Sequence, residues 1–121
     1  MTVSTNDKMN DSCLFCRIVR REIPATIVWE DDHSLAFRDI DPKAPTHVLV
    51  VPKTHVATLD DVTDAGMLGE LLLAAAAIAR DEGIVAGGYR TVVNCGADAG
   101  QTVFHVHLHL LGGRKLAWPP G

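Results

Sequence analysis

Residues 105–111 read His-Val-His-Leu-His-Leu-Leu. Polar and apolar side chains alternate with period two, which is the pleat of a β-strand. Such a strand turns Val106, Leu108 and Leu110 to one face and His105, His107 and His109 to the other. The apolar face can enter a core while the imidazole face lines a site. Imidazole is the only side chain whose ordinary pKa lies near neutrality, so the row can attack, accept protons or bind metal. A single histidine on a strand face is ordinarily structural. Three in register are harder to explain that way, because each needs a hydrogen-bond partner or water. One ion cannot collect all three: same-face neighbours are about 6.6 Å apart and the outer two about 13 Å. At most a neighbouring pair, or one histidine with distant ligands, would share a metal.

The rest of the chain frames that strand. Residues 1–11 read as a disordered tail and 12–121 as one domain. Ser12 is positioned to cap a short helix through about Glu22, which Pro24 would stop. Residues 26–30 and 33–39 read as a hairpin around Asp31-Asp32. Asp41-Pro42-Lys43-Ala44-Pro45 is a loop by its prolines. Residues 47–51 form a short β-branched strand ended by Pro52. Residues 63–82 are the clear helix, with Leu68, Leu71, Leu72, Ala75, Ile78 and Ala79 as its buried stripe and Gly83 as its C-terminal cap. Residues 89–94 make a fourth strand and 103–111 the histidine strand, which Gly112-Gly113 breaks. Five strands and two helices in this order predict an α+β fold with a mostly antiparallel sheet.

Composition narrows the function classes. The 121 residues are 47% hydrophobic and 21% charged, ordinary for a folded soluble protein. A net charge of −4 disfavours broad binding to nucleic acid or an anionic membrane. No apolar run reaches transmembrane length, and the polar start has no signal-peptide core. A cytoplasmic location with Cys13, Cys16 and Cys95 reduced is the expectation.

Three further constellations carry chemistry. Gly96-Ala97-Asp98-Ala99-Gly100-Gln101 precedes the histidine strand. The N–H groups of Gly100, Gln101 and Thr102, with the Gln101 and Thr102 side chains, could cradle phosphate oxygens. Cys13-Leu14-Phe15-Cys16 lacks the preceding strand of a redox motif. As a zinc half-site it needs two more ligands, for which His47, His55 and His105 are candidates. The plain alternative is two half-buried cysteines on a helix face. Asp39-Ile40 ends a strand before the proline loop, where a carboxylate can take both ribose hydroxyls or simply start a turn. Phe15, Ile18, Ile23 and Ile40 can form an apolar slot for a base, or core. Trp118 in a proline-rich tail fits a lid, a partner contact or a cover for exposed core.

His-φ-His-φ-His-φ-φ, with φ apolar, resembles the signature of the histidine triad superfamily. The chain from about Cys13 to Gly121 is similar to its HINT branch, the histidine triad nucleotide-binding proteins. The matching segments include Cys13-Leu14-Phe15, Arg21-Glu22-Ile23-Pro24-Ala25, Leu35-Ala36-Phe37, Asp39-Ile40, Ala44-Pro45-Thr46-His47, Val51-Pro52-Lys53, Val93-Asn94, Gly100-Gln101, Gly112-Gly113-Arg114 and Trp118-Pro119-Pro120-Gly121. The resemblance implies a homodimer whose two five-stranded sheets join into one ten-stranded sheet. It also implies binding of purine nucleoside monophosphates and hydrolysis of nucleoside phosphoramidates through a nucleotidyl-histidine intermediate. Carried over, His107 is the nucleophile, and His109 and His47 contact phosphate or orient it. Asn94, Gly100, Gln101 and Thr102 bind the phosphate and leaving group. Asp39 holds the ribose, and Phe15, Ile18, Ile23 and Ile40 surround the base.

The resemblance also bears on metal. In the related galactose-1-phosphate uridylyltransferases the zinc ligands match Cys13, Cys16, His55 and His105, which implies a closed structural zinc site and a reaction that needs no metal. His109 stands where the transferases have Gln, which points to hydrolysis rather than transfer to a sugar phosphate. Thr102 stands where many relatives have serine, and Lys115-Leu116-Ala117 carries no clear leaving-group determinant. Two other functions stay open. One is a dinucleoside polyphosphate hydrolase, against which the Trp-Pro-Pro-Gly ending argues. The other is a nucleotide-sensing or scaffold protein whose hydrolysis is incidental.

Overall fold

The central strand of the sheet is buried along its whole length, and everything else is arranged on its two sides. The computed structural model describes residues 11–121. The expected tail therefore lies, but for Asp11, outside the described residues. β1 (Ile27–Glu30), β2 (Ser34–Arg38), β3 (Thr46–Pro52), β4 (Tyr89–Val92) and β5 (Leu108–Gly112) form a sheet in the order β1-β2-β3-β5-β4. All four pairings are antiparallel. Among the described residues α1 (Leu14–Val19) and α2 (Ala65–Asp81) are the α-helices, so the expected α+β architecture is the observed one. The hairpin between β1 and β2 closes on Asp31, whose Oδ1 accepts the N–H groups of His33 and Ser34 at 2.8 and 2.7 Å.

The pleat of β3 sorts the core into two clusters. Val48 and Val50 join Ala36, Leu108, Leu110 and the buried face of α2. Leu49 and Val51 join Leu35, Phe37 and the α1 residues Phe15, Cys16 and Ile18. By the same alternation His47 falls on the α1 side. α2 is capped by Asp64, whose side chain accepts the Met67 N–H. Its buried residues are Leu71, Ala74, Ala75, Ile78 and Ala79. Three alanines in that stripe let the helix axis approach the sheet closely. Leu72, expected in the stripe, is exposed instead, as is Leu73. A residue one step from Leu71 sits about 100° around the helix, so 72 and 73 turn away from the sheet that 71, 74, 75 and 78 face.

Two boundaries differ from the sequence expectation for identifiable reasons. Cys13, not Ser12, is the N-cap of α1; its Sγ accepts the Cys16 N–H at 3.4 Å. The helix stops at Val19, and Arg21 takes a left-handed conformation with φ 65°. The histidine strand is shorter than expected. β5 begins at Leu108, which pairs with Val50. The next same-register partner would be Pro52, which has no N–H to give a ladder. Val106 N–H therefore turns to Val56 O at 2.6 Å, and residues 103–105 bend. Only His109 of the three lies in the strand, although Val106, Leu108 and Leu110 do fill the core. Residues 93 and 94, expected to extend β4, lie beyond its end at Val92.

Ile78 sits at the centre of the α2–sheet contact and is 2% exposed. Ile78→Ala should lower unfolding free energy by about 2–5 kcal/mol in urea titration, with the m-value unchanged.

Candidate functional site

Three imidazoles of the site, His47, His105 and His107, meet a backbone group, and that group decides which ring nitrogen carries the hydrogen. A carbonyl can only accept and an N–H can only donate, so the tautomers follow. His107 Nδ1 lies 2.8 Å from the carbonyl oxygen of His105. Nδ1–H donates there, and Nε2 keeps a free lone pair. His105 Nε2 donates to Pro52 O at 2.8 Å, which leaves its Nδ1 bare. Lys43 N–H donates to His47 Nδ1 at 3.0 Å, so His47 carries its hydrogen on Nε2. That Nε2 lies 2.9 Å from His109 Nδ1 and 3.4 Å from Asp39 Oδ2. His109 accepts at Nδ1 and therefore presents an N–H at Nε2.

Burial keeps these rings neutral. Desolvation lowers the His47 and His107 pKa values, against the opposing pull of Asp39 on both and of the His105 carbonyl on His107. His109 falls to about 4, through desolvation first and then the neighbouring His107 and His47. Phe15 packs edge-on against the His107 ring, with centroids 5.0 Å apart, and against Phe37 at 5.4 Å. His107 is thus a neutral imidazole with one nitrogen pinned and the other open to the cavity it lines.

Two cavities meet at these rings. The first, about 360 Å³, runs from His107 and His109 past Asp39 to an apolar wall that includes Phe15, Ile18 and Ile23. Ile40 stands at its rim and is fully exposed. The four residues expected around a base therefore line one space. Phe37, Leu49 and Val103 line it too. They were not singled out from the sequence, although the strand alternation that puts 47 on this face also puts 49 there. The second cavity, about 390 Å³, lies on the other side of His47 and His109, with Asp41, Lys43, Asn94 and Pro120. Asn94 sits there and not in the first cavity. Thr102 lines the first.

The glycine loop differs from its expected form. Gly100 N–H donates to Ala97 O and Gln101 N–H to Gly96 O, so two of the three supposed anion donors are already used. The Gln101 side chain is 4% exposed. It accepts Gly96 N–H and donates to Ala57 O and Val103 O. It braces the loop against the segment that follows β3. Gly100 is needed for its left-handed backbone, φ 97°.

Cys13, Cys16, His55 and His105 converge at one end of α1, with their ligand atoms within 4.8 Å of one another. The two Nδ1 atoms are 3.3 Å apart, Cys13 Sγ is 3.4 Å from His105 Nδ1, and Cys16 Sγ is 3.3 Å from His55 Nδ1 and 3.5 Å from His105 Nδ1. A tetrahedral zinc with ordinary bond lengths needs edges of about 3.3 Å between nitrogens and about 3.6 Å between nitrogen and sulfur. The donor set fits. The bare Nδ1 of His105 is the tautomer a metal requires, and its Nε2 bond to Pro52 is the supporting contact such ligands make. Asp39, His47 and His109 also lie close enough together to suggest a cation. His47 is unsuited to it, because its Nε2 carries the hydrogen that Lys43 N–H forces there.

Residues 20–116 match the HIT domain family, and the chain belongs to it. A HIT family hydrolase from Legionella pneumophila has the same fold, with a TM-score of 0.89 and 54% identity over 91% of this chain and all of that one. A purine nucleoside phosphoramidase of Escherichia coli is 47% identical over 89% of this chain and 92% of its own. A 14 kDa zinc-binding protein of Zea mays is 46% identical over 94% of this chain and 92% of its own.

The depressed His109 pKa gives a signed prediction. The unfolded ring protonates as pH falls through about 6.5, but the folded ring resists until about 4. Its contribution to stability is complete above pH 6.5 and is lost between 6.5 and 4. The melting temperature should fall over that window, and His109→Asn should flatten the fall.

Proposed function

We propose that this chain is a nucleoside phosphoramidase of the HINT type that cleaves the P–N bond of purine nucleoside 5′-phosphoramidates through a nucleotidyl-His107 intermediate. The observation that carries the reading is the pinned His107: Nδ1–H on the His105 carbonyl and a free Nε2 lone pair at a nucleotide-sized cavity. The named activity of the Escherichia coli relative supports it.

The base lies against Phe15, Ile18, Ile23 and Ile40, and the ribose hydroxyls reach Asp39. His107 Nε2 attacks the α-phosphorus, and the P–N bond breaks. His109 Nε2–H meets a phosphoryl oxygen as charge develops. The departing amine needs one proton. The His47–His109 pair takes up a proton beside the bound phosphate and delivers it, with the Thr102 hydroxyl as relay. Water then attacks the intermediate, releases the nucleoside monophosphate, restores neutral His107 and returns the proton to the pair. Asn94 and Lys43 border the side on which the amine leaves, while Gly100 and Gln101 hold the loop that carries Thr102.

Cys13, Cys16, His55 and His105 hold a structural zinc in this reading, which the Zea mays relative's name supports. Four protein ligands close the metal's coordination, so the steps above are assigned to protein groups alone. Buried Cys13 and Cys16 that form no disulfide suit a reducing compartment such as the cytoplasm. A homodimer through the outer edge of β4 that also covered Leu72 and Leu73 of α2 would bury apolar surface that is exposed on one chain.

Hydrolysis of adenosine 5′-phosphoramidate beside diadenosine tetraphosphate tests the reading. The phosphoramidate should be preferred, and His107→Ala should lower kcat by at least about a thousandfold. Preference for the tetraphosphate would make the chain a dinucleoside polyphosphate hydrolase. Tight AMP binding without turnover would make it a nucleotide sensor. Protein prepared without chelators should carry about one zinc per chain.

A further inference from the structure

The Cys2His2 cluster and the nucleophile share a residue. His105 Nδ1 enters the cluster 3.4 Å from Cys13 Sγ and 3.5 Å from Cys16 Sγ. The carbonyl of the same residue holds the Nδ1–H of His107. Sheet pairing does not set the direction of that carbonyl. β5 pairing begins at Leu108, and residues 103–105 are bent. Two things hold it instead: the ring of His105, with Nε2 on Pro52 O and Nδ1 in the cluster, and the Val106 N–H of the same peptide on the carbonyl of Val56, the residue after the ligand His55.

We propose that the metal ion held by Cys13, Cys16, His55 and His105 sets the catalytic state of His107: by fixing the ring of His105 it aims the His105 carbonyl and so imposes the tautomer with a free Nε2. The inference rests on the zinc reading above. It makes His105 a positioning residue for the nucleophile as well as a ligand.

The physical argument runs through the lone pairs. His105 Nδ1 and His55 Nδ1 face each other at 3.3 Å. With a cation between them both nitrogens are satisfied. Without one, a hydrogen on His55 Nδ1 or on a cysteine thiol has to bridge to His105 Nδ1. Such a hydrogen bond is weaker and less directional than a metal bond. The ring of His105 and the His55–Val56 segment are then less restrained, and so is the peptide that carries the His105 carbonyl. Released from its acceptor, His107 samples both tautomers, and the Nε2–H form has no lone pair to attack phosphorus with. Phe15, whose helix carries Cys16 at the next position, loses its seat on the His107 ring in the same event.

The test compares zinc-loaded and chelated full-length protein under reducing conditions, with zinc restored as the reversal. Side-chain ¹H–¹⁵N spectra report the His107 tautomer, its signals assigned by their loss in His107→Ala. In loaded protein His107 should be wholly Nδ1–H. On chelation the Nε2–H form should appear, kcat should fall at least about tenfold, and KM should rise by less than that factor. Zinc should restore both. If chelation unfolds the chain by circular dichroism, His55→Gln carries the comparison, because it removes only the half-buried ligand and touches neither His107 nor the cavity. A folded, chelated protein whose His107 stays Nδ1–H overturns the inference and leaves the zinc reading intact. A chain that takes up no zinc overturns both. If the chain cleaves no phosphoramidate, the proposed activity fails, and the spectra still decide the tautomer question.

Discussion

An imidazole can attack only from the nitrogen that lacks a hydrogen, and in this chain that choice is made by the backbone. The His105 carbonyl fixes His107, the Pro52 carbonyl fixes His105, and the Lys43 N–H fixes His47, which in turn fixes His109. The first three of these contacts use backbone groups left over by the fold, and only the last is between side chains. Pro52 is central to this. It ends the β3 ladder because it has no N–H, and the unpaired carbonyl that results is the one His105 takes. The break in the sheet and the order of the site have one cause.

Burial does the remaining electrostatic work. Rings packed between α1 and the sheet lose their hydration and stay neutral at physiological pH, so a histidine row that would repel itself if charged can sit with ring centroids 5.0–5.2 Å apart. Asp39 moderates this from one side, 3.4 Å from His47 Nε2. The result is a site whose resting charge is low and whose proton affinity rises when an anion arrives.

Much of this was legible in the residues. Period-two alternation around His107 and in residues 47–51 gave the two strands that meet in the sheet, and the Leu-Ala stripe gave α2. The family resemblance brought Cys13, Cys16, His55 and His105 together, although they span ninety-two positions in the chain and the two cysteines fall outside residues 20–116 that match the HIT domain. What stayed hidden depended on pairing partners. The strand pattern extends back to Val103, and only the register that sets Pro52 opposite Val106 explains why the strand does not. Gln101 looked like a phosphate ligand because its neighbours are glycines. Three backbone partners, two of them distant in sequence or hidden by the turn, claim its amide instead. Leu72 was assigned inward by hydrophobicity alone, whereas the angular position of Ala74 decides which side of the helix is buried.

The two sides of β3 carry unequal burdens. Val48 and Val50 sit in an apolar cluster with α2, against which Trp29 also packs, where shape and volume are the main requirement. His47, Leu49 and Val51 face the rings, the cavity and α1. Along one seven-residue strand, then, alternate positions answer to different demands: one set is interchangeable among aliphatic residues of similar size, and the other is tied to a geometry measured in tenths of an ångström. Sequence drift within such a strand would be expected to run at two speeds, alternating residue by residue.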